Sequence, residues 1–170
     1  VVCPFPYTVS SSGGSNVAYI YNGASAVQSI SAINDGSYVH GNSGTSVPLR
    51  LSGLVFDNVP SDALITGIQI TLNYFKFSGL GTGNGVAATI SIDGTTFSSE
   101  KRTPIVVSTS SSATDQATLG SLSDTWGLTG IKASNINDLV ISLYTYKPAV
   151  QSLVAMAYDS VSVVVSYQQL

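Results

Sequence analysis

The sequence predicts an all-β protein: an antiparallel two-sheet β-sandwich, jelly-roll-like, led by an extended N-terminal arm. Three observations predict it. Apolar and polar residues alternate with period two in "GIQITLNYFKF", where Ile68, Ile70, Leu72 and Tyr74 share one side. The same alternation returns in "DSVSVVVSY", with Val161, Val163, Val165 and Tyr167 on one side and Ser160, Ser162 and Ser166 on the other. Between the β runs stand turn dipeptides, Asn22-Gly23, Asp35-Gly36, Asn84-Gly85 and Asp93-Gly94, which tolerate the positive φ of tight turns. No stretch carries the 3.6-residue apolar stripe of an amphipathic helix.

Residues 1–16, "VVCPFPYTVSSSGGSN", form the expected arm, and residues 17–170 the sandwich. Pro4 and Pro6 hold the start extended and remove ladder donors, while "SSSGGS" is a flexible hinge. Expected strands then span 17–22, 36–40, 48–56, 64–78, 86–93, 101–108, 114–120, 138–147 and 153–167. Short strands at this spacing point to a sandwich or jelly roll. A single helical turn is expected over 132–138, with Ser134 as its cap. "GLGTGNG", residues 79–85, reads as a long hairpin loop, because no helix follows it to make a phosphate site.

The composition narrows the function. Charged residues are 9% of the 170-residue chain, against about 25% in an ordinary domain. The net charge is −3 and the basic residues are scattered, so no nucleic-acid surface is expected. No run approaches the length of a membrane helix, so no membrane partner is expected, and neither is a signal peptide. With one cysteine, Cys3, no intrachain disulfide forms. The surface is neutral and polar, which suits crowded assemblies and sugar contact.

Catalytic chemistry is sparse. His40 is the single histidine and Cys3 lies in the arm, so neither a triad nor a histidine metal site is expected. Most acids, among them Asp35, Asp57, Asp62, Asp93 and Asp138, stand beside turn residues and read as turn caps. The expectation is a protein that is not an enzyme and uses neither metal nor cofactor. Three aromatics are candidates for a carbohydrate platform: Tyr144 and Tyr146, opposite Ile141 and Leu143 in the alternation, and Trp126 if it faces solvent. The competing role for Trp126 is a plug at one end of the sandwich. There Gly127 permits the bend and Asp124 accepts backbone amides.

Four segments occur in a recurring order: "NDGSYV" (34–39), "LVFDNVPSDALITGIQITL" (54–72), "DTWGLTGIKASNIND" (124–138) and "YDSVSVVVSY" (158–167). Together they resemble the small β-sandwich structural proteins of tailed bacteriophages. The resemblance covers roughly residues 33–167, leaves the arm outside, and carries no catalytic residue. It implies a virion structural protein, assembled in the host cytoplasm. The leading expectation is a capsid cement or decoration protein that binds the major capsid protein or other virion proteins. It would be a homo-oligomer, taken as a trimer, that docks through Phe5, Pro6 and Tyr7 of the arm. The alternative is a receptor- or carbohydrate-binding module of a tail, fibre or baseplate.

Overall fold

The alternating run at 64–78 becomes the spine of the molecule. Its β-branched and aromatic residues suit a pleated surface buried on one side. In chain order the strands are β1 (Thr8–Ser11), β2 (Ala18–Ile20), β3 (Val39–Gly41), β4 (Leu49–Ser52), β5 (Leu64–Ser78), β6 (Gly85–Ser91), β7 (Lys101–Arg102), β8 (Asp115–Ser121), β9 (Val140–Tyr146) and β10 (Ala155–Gln168), with one helical turn, α1 (Ala133–Ile136), before β9. The structure, a computed structural model, describes residues 8–11, 18–20, 39–41, 49–54, 56, 59–78, 85–104, 114–146 and 155–169.

The strands form two five-stranded sheets, ordered β1-β4-β9-β6-β7 and β2-β3-β10-β5-β8. They are called here the β4 sheet and the β5 sheet. Every ladder is antiparallel. The pairs β3–β10, β4–β9, β5–β8 and β6–β7 are those of one long hairpin. Successive pairs fall alternately in the two sheets, so the hairpin is rolled up into an eight-stranded jelly roll. β2 extends the β5 sheet beside β3, and β1 extends the β4 sheet beside β4.

That last pairing revises the start of the sandwich. Thr8–Ser11 falls in the segment expected as a separate arm, yet Val9 stands opposite Leu51 as an edge-strand residue. Once past Pro6 the chain has free amides and can join a ladder. Cys3, Phe5, Pro6 and Tyr7 lie outside the described residues, as do the turns at Asn22-Gly23 and Asp35-Gly36 and the loop 79–84.

The core lies between the sheets. From the β5 sheet come Ile68, Ile70, Leu72 and Tyr74, and from the β4 sheet Leu49, Leu51, Val86, Ile90, Ile141 and Leu143. Fully burying one such side chain stabilises the fold by about 1.5–3 kcal/mol. Val161, Val163 and Val165 are buried as the alternation requires, but Tyr167 is 37% exposed. The ladder slips here because β5 carries one extra residue, Thr66, and Tyr167 stands opposite the buried Ile65 near the end of β10.

The segment 122–139 crosses from β8 to β9 and closes one end of the roll. It places Trp126, Ile131, Ile136 and Leu139 in the core. Backbone bonds tie it to β5 and its entry, with Ile65 N–H to Ile131 O at 2.8 Å and Ala133 N–H to Ala63 O at 3.0 Å. The expected helical turn is present, but Ser134 does not cap it. Lys132 occupies the cap position, and the Asn135 side chain accepts the Lys132 N–H at 3.2 Å. Ser134 is already inside the helix, where its hydroxyl cannot reach the free amides of the first turn.

Candidate functional site on the outer face of the β4 sheet

Trp126 is a plug and takes no part in a sugar platform. It is 2% exposed, and its indole N–H donates to Ile68 O at 2.8 Å. Two successive left-handed residues seat it, Trp126 at φ 60 and Gly127 at φ 79. A non-glycine residue holds that conformation only when its surroundings force it. The forcing contacts are visible: the Trp126 N–H is bound by Asp124 Oδ1 at 2.7 Å, and the indole lies against Gly120, where a Cβ would come within 2.5 Å of Nε1. The Lys101 ammonium pairs with Asp124 at 2.8 Å and sits 5.2 Å from the indole centre. Lys101 and the Trp126 amide together hold the Asp124 carboxyl below the usual carboxylate range. Lys101 is on β7 and Asp124 follows β8, so this cluster fastens the open edge between the sheets.

The outer face of the β4 sheet is where large polar and aromatic groups collect. Alternation puts Leu49, Leu51, Ile141 and Leu143 inward, so Arg50, Ser142, Tyr144 and Tyr146 point outward. Register aligns them in rows. Arg50 stands beside Ser142, and Ser142 beside Thr89. One row along, Tyr144 stands beside Ala87, and Ala87 beside Arg102. The next row pairs Tyr146 with Gly85.

The β6–β7 connection folds back over these rows. Ser98 N–H donates to Ile90 O at 2.8 Å, and the Ser98 hydroxyl accepts the Ile90 N–H at 3.0 Å. This brings the Phe97 ring under the Arg50 guanidinium, 4.7 Å from the ring centre to Cζ. Further along, Arg102 sits 4.7 Å over the Tyr146 ring and pairs with Glu100, its Nε donating at 2.5 Å. The Tyr144 hydroxyl donates to the same Glu100 carboxylate. The Tyr146 hydroxyl donates to Thr103 O at 2.5 Å. Its ring lies against the Gly85 backbone, where a Cβ would meet ring carbons at 2.5 and 2.7 Å.

The tyrosines are therefore less open than alternation suggests. Tyr144 is 8% exposed and Tyr146 half-buried, because 97–103 covers the strand that carries them. The face was found from the sequence through Tyr144 and Tyr146, but Arg50, Phe97, Glu100 and Arg102 were missed. No spacing in the chain announces that a loop 92–100 lies over β9.

At the end of this face nearest α1 lies a hollow of about 470 Å³, lined by Ser52, Gly53, Ile92, Asp93, Gly94, Asn137, Asp138, Leu139 and Val140. Asp93 holds one wall rigid. Its Oδ1 accepts the Thr95 and Thr96 N–H groups at 2.8 and 2.7 Å and the Ser91 hydroxyl at 2.9 Å, which lowers its pKa well below the usual range. The sequence reading of Asp93 as a turn cap is correct. Asn137 Oδ1 accepts the Phe56 N–H at 3.2 Å and fixes the opposite wall. Among the described residues, no cluster of three or more His, Cys, Asp or Glu stands ready to hold a metal.

No family model matches the chain, and no curated relative matches it. Among solved structures it is similar to that of TmCBM61 in complex with β-1,4-galactotriose, with 12% identity over 94% of this chain and 88% of that chain and a TM-score of 0.44. The assignment of the fold rests on the strand pairing described above.

Proposed function

We propose that this chain is a non-catalytic recognition module whose ligand is a carbohydrate, held on the outer face of the β4 sheet. The observation that carries this reading is the run of polar and aromatic groups from the hollow at Asp93 and Asp138 to Tyr146. From the row of Ser142 to that of Tyr146 the track extends roughly 13 Å, four residues at about 3.3 Å each. It offers aromatic rings at Phe97 and Tyr146, guanidinium donors at Arg50 and Arg102, and carboxylate acceptors at Asp93 and Asp138. A ligand dense in hydroxyl groups can use all three kinds of contact. A protein partner would want an apolar centre. The exposed large apolar residues among those described, Leu122 and Tyr167, belong instead to the β5 sheet and its margin.

The test is a glycan array followed by isothermal titration on the intact chain. The expected result is binding of at least one glycan class, weakened about tenfold by Tyr146→Ala, which removes a ring-and-guanidinium contact. An array with no binder at millimolar glycan overturns the reading. Quenching of the single tryptophan is a poor assay, because Trp126 is buried in the end plug.

A second reading places the chain in a bacteriophage virion, either as such a module on a tail, fibre or baseplate, or as a cement protein on the head lattice. It is supported by the four-segment resemblance and by the low-charge surface. In the cement form, Phe5, Pro6 and Tyr7 dock on the major capsid protein and the chain is a trimer. Removing residues 1–7 leaves β1 in place, so loss of capsid decoration by the truncated protein would support docking by the arm. Undiminished decoration would exclude it.

A further inference from the structure

The β4-sheet face holds both arginines of the chain, and they differ. Arg102 is neutralised by Glu100 and is open to solvent. Arg50 has no carboxylate within ion-pair distance among the described residues, whose pairs are Lys101–Asp124 and Arg102–Glu100. Its guanidinium is held over the Phe97 ring, and its Nε is shielded from solvent with no hydrogen-bond partner. A shielded N–H without an acceptor is costly, and an arginine cannot relieve the cost by losing its proton. Arg50 as a whole is nonetheless partly exposed. A cation that is stacked, oriented and without a carboxylate partner among the described residues is prepared for an anion from outside.

We propose that Arg50 anchors the carboxylate of an acidic sugar, so that the ligand of this face is a carboxylated rather than a neutral glycan. This rests on the reading of the face as a glycan site. The planar fork of Arg50 matches a carboxylate in a way that a single hydroxyl does not. The neighbouring hollow supplies what the rest of such a ligand needs. Asp93 and Asp138 line it, and carboxylates there accept from sugar hydroxyls but repel a second acid. The pattern therefore selects a sugar with one carboxylate and several hydroxyls, oriented with its acid toward Arg50 and its hydroxyls toward Asp93. The Phe97 ring keeps the guanidinium in place, which limits the side-chain entropy lost on binding.

The experiment titrates the intact chain with two matched pairs of probes, sialyllactose against lactose and trigalacturonate against β-1,4-galactotriose. In at least one pair the acidic member is expected to bind about tenfold tighter or more, with the preference shrinking as salt is raised. Arg50→Gln is expected to remove the preference. Arg50→Lys, which keeps the charge and loses the fork, retains part of it and serves as the readout if Arg50→Gln does not fold. Equal binding of acidic and neutral members, or a preference unchanged in both Arg50 variants, overturns the acidic-sugar proposal and leaves the glycan reading standing. Binding of neither member of either pair, with a blank array, removes both.

Discussion

The outer faces of the two sheets obey the same alternation and carry different chemistry. On the β5 sheet the outward positions include Gln69, Thr71, Asn73, Gln116, Thr118, Ser160, Ser162 and Val164, all uncharged, with Asp159 buried at the bulge beside Ser160. Their polar groups serve one another. The Asn73 oxygen accepts from Ser160 at 3.0 Å and from Gln116 at 3.5 Å, and its amide donates to Thr114 at 3.3 Å. On the β4 sheet the outward positions include the charged and aromatic Arg50, Arg102, Tyr144 and Tyr146 among smaller residues, and one of them, Arg50, has a shielded N–H without an acceptor. The polar groups of the β5 face mostly bond one another, whereas among the described residues Arg50 on the β4 face has no carboxylate partner, a difference on which the glycan proposal rests. Sheet pairing stabilises both faces, and they differ in the kind of polar group each one carries outward.

Several measurements break or sharpen this contrast. The largest effects should be the same for both sheets, because they come from the shared interior. Ile70→Ala and Ile141→Ala are each expected to cost about 2–5 kcal/mol in denaturant unfolding. A tolerated change at either position would mean that its sheet does not pack as described. Asn73→Ala is expected to cost about 1–3 kcal/mol, since it strands the buried Ser160 hydroxyl, and to leave glycan binding untouched. Asp124→Asn removes the Lys101 ion pair at the sheet edge and should lower stability at neutral pH by about 1 kcal/mol.

The pH dependence of the same group has a defined sign. The folded Asp124 carboxyl has a lowered pKa, so its contribution is fully present above the unfolded value, about 3.9. It is lost as pH falls through and below that value, so an acid titration of stability should be shallower in Asp124→Asn than in the parent chain. The smallest effect belongs to the plain face. Thr71→Ala should stay within about 0.5 kcal/mol and leave binding unchanged. Loss of glycan binding on that substitution would reverse the roles assigned to the two faces.

The sequence made much of this legible, and the places where it fell short share a cause. The bounds of β5 follow from alternation alone, as do the inward registers of Tyr74 and of Val161, Val163 and Val165. Trp126 as a plug was legible too, from Asp124 before it and Gly127 after it. Tyr167 escaped because it stands near the end of β10, where alternation gives the side of the strand but not how much of the fold covers it. Tyr144 and Tyr146 were placed on the correct side of β9, but the loop that covers them comes from residues 97–103. Arg50 was passed over because its neighbours in sequence are leucines and its neighbour in space, Phe97, is distant along the chain.

What the sequence determined by itself was local: which segments are strands, which side of each strand is apolar, and where the chain must turn. Those properties follow from side-chain size and polarity at successive positions. What only the tertiary structure decided was which strands became neighbours, and so which outward side chains came to share a surface. The rolled hairpin brings Arg50, Phe97, Arg102 and Tyr146 onto one face through backbone ladders between distant segments. Hydrogen bonds of that kind are indifferent to side-chain identity, so no residue type in the chain records the partner that it meets.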